Sequence, residues 1–302
     1  MKIVLTGSLG PISKPLTQML VQNKHIVTVI SSKPERQKEI EALGAKAAIG
    51  TMQDADFLTN TFTGTDIVYC MEAFGQESYF DKNHDFMAAM TNIGNNYKHA
   101  IQQSGVKKVI HLSSVGAHTD KGIGLIEAHY KVEKILGGLP GNVVIKTMRP
   151  GGFYYNTLGF IPTIKSAGAI IQNYGGDEKQ PWVSPVDIAT VVAEEMELPF
   201  DKRKIRYIAS DELSSKELAQ TLGEAIGKPD LKWLAISDEQ MLSNMIAVGM
   251  NPGLARGFVE MAAARRSGVL YEDYFRNRPT LGKTKLKDYA KEFAAAYNGL
   301  NQ

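Results

Sequence analysis

The chain has 302 residues, 43% of them hydrophobic and 22% charged, with a net charge of +2. It is long enough for a sizeable core, as one large or two intimate domains, and too near neutrality to argue for a nucleic-acid partner. No apolar stretch spans a bilayer, no signal peptide precedes the first strand, and the single cysteine, Cys70, excludes an internal disulfide or a cysteine-cluster metal site, so a cytoplasmic protein without membrane or metal partners is expected.

Residues Lys2 to Thr6 form a strand-length apolar run. Gly7-Ser8-Leu9-Gly10-Pro11-Ile12-Ser13 is a glycine turn, after which Leu16, Met19 and Leu20 fall at helical spacing. Strand, glycine turn and helix make the phosphate-binding opening of a nucleotide fold. Glycines bring the backbone close to a pyrophosphate, and the free N–H groups and dipole of the helix start hold its charge. Thr6, Gly7, Leu9, Gly10, Pro11 and Ile12 are therefore expected to bind a cofactor. The spacing Gly7-x-x-Gly10-x-x-Ser13 departs from GxGxxG, with serine, small enough for close helix packing, at the third position.

The second strand, His25 to Ile30, runs into Ser31-Ser32-Lys33-Pro34-Glu35-Arg36. Dinucleotide folds usually place an acidic residue here for the adenosine ribose. Its replacement by Ser32 with Lys33 and Arg36 favours NADP(H) over NAD(H), because two cations can meet a 2′-phosphate. The plain alternative is that both cations are solvated at the start of the helix Pro34–Leu43. A short strand at Ala47–Ile49, a helix from Ala55 to Phe62 capped by Asp54, and a fourth strand, Thr65–Cys70, follow. Cys70 is expected to be a buried, inert thiol. The loop Met71-Glu72-Ala73-Phe74 falls where cofactor contacts are expected, and a helix is predicted from Phe80 to Ser104.

The fifth strand, Val106–Leu112, ends in Ser113-Ser114, placed to face a nicotinamide or to form a turn. In the next helix, Glu127–Leu136, Tyr130 and Lys134 share one face, as do His129 and Glu133. A Tyr-x-x-x-Lys pair suits carbonyl reduction, since an ammonium beside a phenol eases proton transfer. The same spacing also arises by chance, and His129–Glu133 reads equally as an exposed helix pair. The sixth strand, Val143–Met148, ends in Arg149-Pro150-Gly151-Gly152. Pro150 is expected at the cofactor, and Phe153, Tyr154 and Asn156 on the substrate side.

These segments resemble an atypical short-chain dehydrogenase/reductase of the NmrA-like group, near its bacterial NADPH:quinone oxidoreductases in layout. The resemblance rests on Thr6–Gly10, Ser32–Arg36, Gly105–Ser114, Glu127–Leu136 and Met148–Asn156. It implies an α/β fold: a Rossmann-like doubly wound parallel sheet over 1–152 and a smaller, mainly helical substrate region over 153–302, with segments near 184–210 returning to the first. It also implies an NADP-type cofactor, Lys33 and Arg36 at the 2′-phosphate, and Lys134 near the nicotinamide ribose. Tyr130 is a residue that many of these proteins have lost. Thr51 stands where an adenine-side aspartate is common.

In the second half, Gly159–Gly176 reads as a lid or entrance. Ser184 opens a helix as a capping box with Asp187 as a cap, and Ser214 with Glu217 and Ser237 with Gln240 open two more. Arg206–Ala209 is a late strand. Asn251-Pro252 starts a helix to about Arg265, and Leu286–Tyr297 is the last helix. Met241, Met245, Met250 and Met261 read as core filler or an adaptable pocket. Arg265-Arg266 reads as a solvated helix end or an anion contact.

The expected function is an NADP(H)-dependent oxidoreductase acting on a small carbonyl or quinone. Tyr130 would give the proton, Lys134 would activate it, and Ser114 or Ser113 would hold the substrate oxygen. The alternatives are a non-catalytic NADP(H)-sensing protein with a regulatory partner, and a sugar-nucleotide epimerase-like enzyme with retained NAD. A homodimer is a further expectation.

Overall fold

Most strands of the first half are apolar runs rich in β-branched residues, and such runs suit a sheet covered on both faces. The computed structural model describes residues 1–299. Its strands are β1 (Lys2–Leu5), β2 (Ile26–Ser31), β3 (Lys46–Ile49), β4 (Ile67–Met71), β5 (Lys108–Leu112) and β6 (Val144–Pro150). After these come β7 (Gly152–Phe153), β8 (Ala169–Gln172), β9 (Gln180–Val183), β10 (Lys204–Ile208), β11 (Asp211–Leu213) and β12 (Lys232–Ala235). A seven-stranded sheet has the order β3-β2-β1-β4-β5-β6-β10 with every neighbour parallel.

The helices are α1 (Ser13–Gln22), α2 (Gln37–Ala42), α3 (Ala55–Phe62), α4 (Phe86–Ser104), α5 (Glu127–Gly137), α6 (Ile161–Ala167), α7 (Pro185–Glu197), α8 (Ser215–Ala225), α9 (Asp238–Ala247), α10 (Pro252–Ser267), α11 (Glu272–Arg276) and α12 (Leu286–Tyr297). Alternation along the strands sends Ile3 and Leu5 to one face and Val4 to the other. The first face packs with Leu16 and Leu20 of α1 and Ile188 and Val192 of α7. The second packs with Leu58 of α3, Ile93 and Tyr97 of α4, and Val132 and Leu136 of α5. This is a doubly wound Rossmann-like α/β fold. Its strand order reverses at β1, which lies between β2 and β4. A crevice opens beyond the carboxyl ends of the strands at such a point.

The later elements form a separate core around Phe160, Ile164, Leu218, Leu222 and Phe293, with two small sheets, β11-β9-β7 and β12-β8, beside the helices. Three expectations are corrected here. Gly159–Gly176 is not a lid: Phe160, Ile164 and Ile170 are buried in this core, and β8 is paired with β12. The helix expected from Phe80 begins at Phe86, because the Asp85 side chain caps it by accepting from the Ala88 N–H at 3.0 Å. Asp187 does not cap α7, which Ser184 caps through the Val186 N–H. Its carboxylate instead accepts from the Ser210 hydroxyl at 2.6 Å and from the Thr284 N–H and hydroxyl at 3.0 Å each. Among the described residues no helix is long and apolar enough to cross a membrane.

Candidate functional site

Two adjoining cavities lie at the crevice. The outer, of about 390 Å³, is lined by Gly7, Ser8, Ser31, Ser32, Thr51 and Gln53 among others. The inner, of about 350 Å³, lies between the ends of β4, β5 and β6 and helices α5 and α10. Ala73 and Phe74, just past β4, line both.

The glycine turn is shaped by two close approaches. Gly7 has φ +86°, and a Cβ there would stand 2.3 Å from the Met71 sulfur, so only glycine fits. Ser13, in the third position of the motif, is buried and donates to the Thr6 carbonyl at 3.3 Å, which is how a serine is accommodated between strand and helix. Thr6 is buried, its hydroxyl oxygen accepting the Met71 N–H at 2.9 Å. Leu9 and Ile12 turn their side chains into the core. Gly10 and Pro11 remain at the surface. Among the described residues the N–H groups of Gly10, Ile12 and Ser13 donate to no protein acceptor. Unpaired N–H groups at a helix start are the donors that an anion there would need.

Beside the turn, Ser31 is buried and accepts from the Ser8 hydroxyl at 2.9 Å. Lys33 is exposed. Arg36 pairs with Glu39 at 2.7 Å, which also takes Lys14 at 3.0 Å. Lys33 and Arg36 flank the outer cavity in sequence without lining it.

The chemistry of the inner cavity comes from titratable groups at the strand ends. Glu72 follows β4 with its carboxylate fully buried, and His111 of β5 meets it at 3.3 and 3.4 Å. His129 of α5 stands with Nδ1 3.8 Å from the same carboxylate. That Nδ1 is buried without a hydrogen-bond partner, and the residue lines the inner cavity. Burial presses His111 toward its neutral form, but Glu72 outweighs it and raises its pKa above the ordinary 6.5. For His129 burial wins over the pull of Glu72, and its pKa lies below 6.5. Burial first, and then the Glu72 charge, pushes the Cys70 thiol upward, so this cysteine is inert.

A second network holds the serine pair. Arg149 grips Glu133 through Nε at 2.9 Å and Nη2 at 2.7 Å, and also donates to the Tyr207 hydroxyl and the Ala117 carbonyl. Ser113 donates to the same Glu133 at 2.5 Å. Its proton is committed to a carboxylate, so toward a ligand Ser113 offers only lone pairs. Ser114 donates to the neighbouring Val115 carbonyl at 3.0 Å, a neutral bond that is easier to exchange.

Of the expected site residues, Gly7, Ser32, Met71, Ser113, Ser114, Phe153 and Asn156 line the two cavities. Pro150 is buried in β6 and its carbonyl accepts the Val115 N–H, so the cavity wall begins at Gly151. Tyr154 is corrected: it is fully buried, donates to Asp211 at 2.6 Å and stacks on Tyr289. Its neighbour Tyr155 takes the wall. Tyr130 and Lys134 are also corrected. The buried row of α5 is Ala128, Val132 and Leu136, and Tyr130 and Lys134 lie roughly opposite it. Lys134 is exposed, with its ammonium 5.0 Å from the centre of the Tyr130 ring, and neither lines the inner cavity. From this helix it is His129 that reaches the cavity. Glu72, His111, Arg149 and Tyr155 were not foreseen as individual site residues. A histidine inside the otherwise apolar strand Val109–Leu112 was the available signal.

The sequence pattern of the NmrA-like family matches residues 1–273. Over 266 residues the chain is 24% identical to an NAD(P)H azoreductase of Xenophilus azovorans, covering 86% of each. A solved nucleoside-diphosphate-sugar epimerase of Staphylococcus aureus superposes with a TM-score of 0.76 at 18% identity, covering 96% of this chain and 100% of the other. An NADPH-dependent quinone oxidoreductase of Escherichia coli gives 0.74 at 21% identity, covering 96% and 98%. These structural likenesses establish the shared fold.

Proposed function

The chain belongs to the NmrA-like family, and from that premise we propose that it is a nicotinamide-dependent reductase, preferring NADP(H) to NAD(H), that acts on a small carbonyl or quinone. The observation that carries this reading is the pair of adjoining cavities, with unpaired helix-start N–H groups at one end and a Glu72–His111–His129 cluster around a buried carboxylate at the other. The NAD(P)H-dependence of the azoreductase relative agrees with it.

The residues fit a dinucleotide. The Gly7 turn and the free N–H groups before α1 suit a pyrophosphate. Thr51 and Gln53 line the outer cavity, where the adenosine would lie. No carboxylate lies at Ser31 or Ser32, and Lys33 and Arg36 are next in the chain. The Arg36–Glu39 pair is exposed, so it releases Arg36 to a 2′-phosphate at little cost. When bound, the reduced nicotinamide supplies a hydride to the acceptor.

The acceptor also needs a proton, and in this reading the His129 ring gives it, with Glu72, 3.8 Å from Nδ1, stabilising the imidazolium and solvent restoring the proton afterwards. Ser114 turns its hydroxyl from Val115 to the acceptor oxygen. Arg149 and Glu133 fix the serine turn. The experiment is to mix the protein with NADPH and then naphthoquinone and follow the loss of nicotinamide absorbance. Steady oxidation supports the reading. Tight NADPH binding without turnover contradicts it in favour of a sensor, and protein that retains NAD through purification points to an epimerase-like enzyme.

A further inference from the structure

The paired arginines at the end of α10 have separate fates. Arg266 leaves the cavity and forms a two-pronged ion pair with Asp238 at 2.9 and 2.7 Å. Arg265 lines the inner cavity. Its guanidinium carbon is 4.6 Å from the ring centre of Tyr174 and 5.9 Å from that of Trp182, so aromatic faces hold it in place. Its Nε is buried with no hydrogen-bond partner. The side chains acting on its charge are two tyrosines, Tyr271 and Tyr174, and among the described residues no carboxylate pairs with it.

Arg265 is partly buried, and an N–H such as its Nε that is shut off from water with no partner costs free energy until an acceptor meets it. Among the described residues, Arg265 is the one lining group of this cavity that carries a permanent positive charge; the other ionisable groups there, apart from the tyrosines, are Glu72 and His129. The walls are largely flat and apolar, with Phe74, Phe153, Tyr155 and Phe258 among them. We propose that Arg265 sets the specificity of the cavity, and that the acceptor it selects is a flat conjugated molecule bearing a carboxylate, sulfonate or phosphate. Planar forked donors suit all three groups. The inference rests on the reductase reading for turnover and is independent of it for binding.

The test is equilibrium binding of two molecules the protein cannot reduce, naphthalene sulfonate and naphthalene methanol, to the full chain with NADP+ present. Wild type is expected to bind the sulfonate about tenfold or more tightly than the alcohol. Arg265→Gln is expected to erase that preference, Arg265→Lys to keep part of it, and Arg266→Gln to keep all of it. The same comparison with benzoate and phenyl phosphate ranks the three anions. Equal binding of sulfonate and alcohol by wild type overturns the proposal, and that result needs no variant to fold. So does a preference that survives in Arg265→Gln protein with wild-type melting temperature. Reduction of naphthoquinone and of naphthoquinone sulfonate is measured separately: absence of both defeats the reductase reading and leaves the Arg265 result standing.

Discussion

At the scale of single residues, the proton inventory decides the chemistry. His129→Asn should lower kcat for quinone or carbonyl reduction by about a hundredfold, the usual worth of a positioned acid, with little change in NADPH affinity by fluorescence titration. Tyr130→Phe should stay within about twofold of wild type, because that ring lies off the cavity beneath Lys134. Since burial holds the His129 pKa below 6.5, kcat/KM should fall as pH rises through a midpoint on the acid side of that value, and His129→Asn should flatten the profile. His111 has the opposite sign. Its folded pKa is raised by Glu72, so its ion pair contributes fully below 6.5 and is lost as pH rises through the folded value. His111→Gln should therefore cost more at acid than at alkaline pH, about 3 kcal/mol at the acid end, where a buried charge loses its partner. Denaturant melts at both pH values measure this.

At the scale of elements, the segment after β4 is held from a distance. The Asn251 side chain caps α10 by accepting from Gly253 and Leu254, and its amide donates to the Asp81 and His84 carbonyls at 2.8 and 3.1 Å. Asn251→Ala should lower stability by about 1–3 kcal/mol, from a lost cap and unmet carbonyls, and should weaken acceptor binding by loosening the cavity wall. Thermal melts and KM values check the two effects. Signals of this local kind were legible in the sequence. The Asp54 cap and the capping boxes at Ser214 and Ser237 form as expected, because each depends on residues three apart. The inward face of α5 was not, since Tyr130–Lys134 and His129–Glu133 have identical spacing. Only the apolar row Ala128, Val132 and Leu136 fixes which pair turns inward. Tyr154 was misplaced for a related reason: its hydroxyl is claimed by Asp211, far along the chain.

For the whole molecule, the run of strands and the opening glycine turn were readable from the rhythm of apolar segments and the doubly wound parallel sheet from the resemblance, whereas the strand order with its reversal at β1, which sets both cavities at one end of the strands, is seen only in the fold. Less readable was how the second half closes the inner cavity, because α10 reaches it through contacts distant in sequence, with Phe258, Met261 and Arg265 on its wall. The proposed cofactor preference rests on the outer edge. Replacing Lys33 and Arg36 together by Glu should weaken NADPH binding by about tenfold or more and leave NADH nearly unchanged, since only the former carries a 2′-phosphate.

The central claim is that adjoining cavities bring a nicotinamide to an acceptor beside His129. The most direct measurement is one titration of the protein with NADPH by nicotinamide fluorescence, followed by naphthoquinone in the same cuvette, run on wild type and His129→Asn. Both proteins should bind NADPH tightly, and wild type alone should oxidise it rapidly. Equal oxidation by both would contradict the role of His129, and NADPH bound tightly by wild type but never oxidised would contradict the reductase itself.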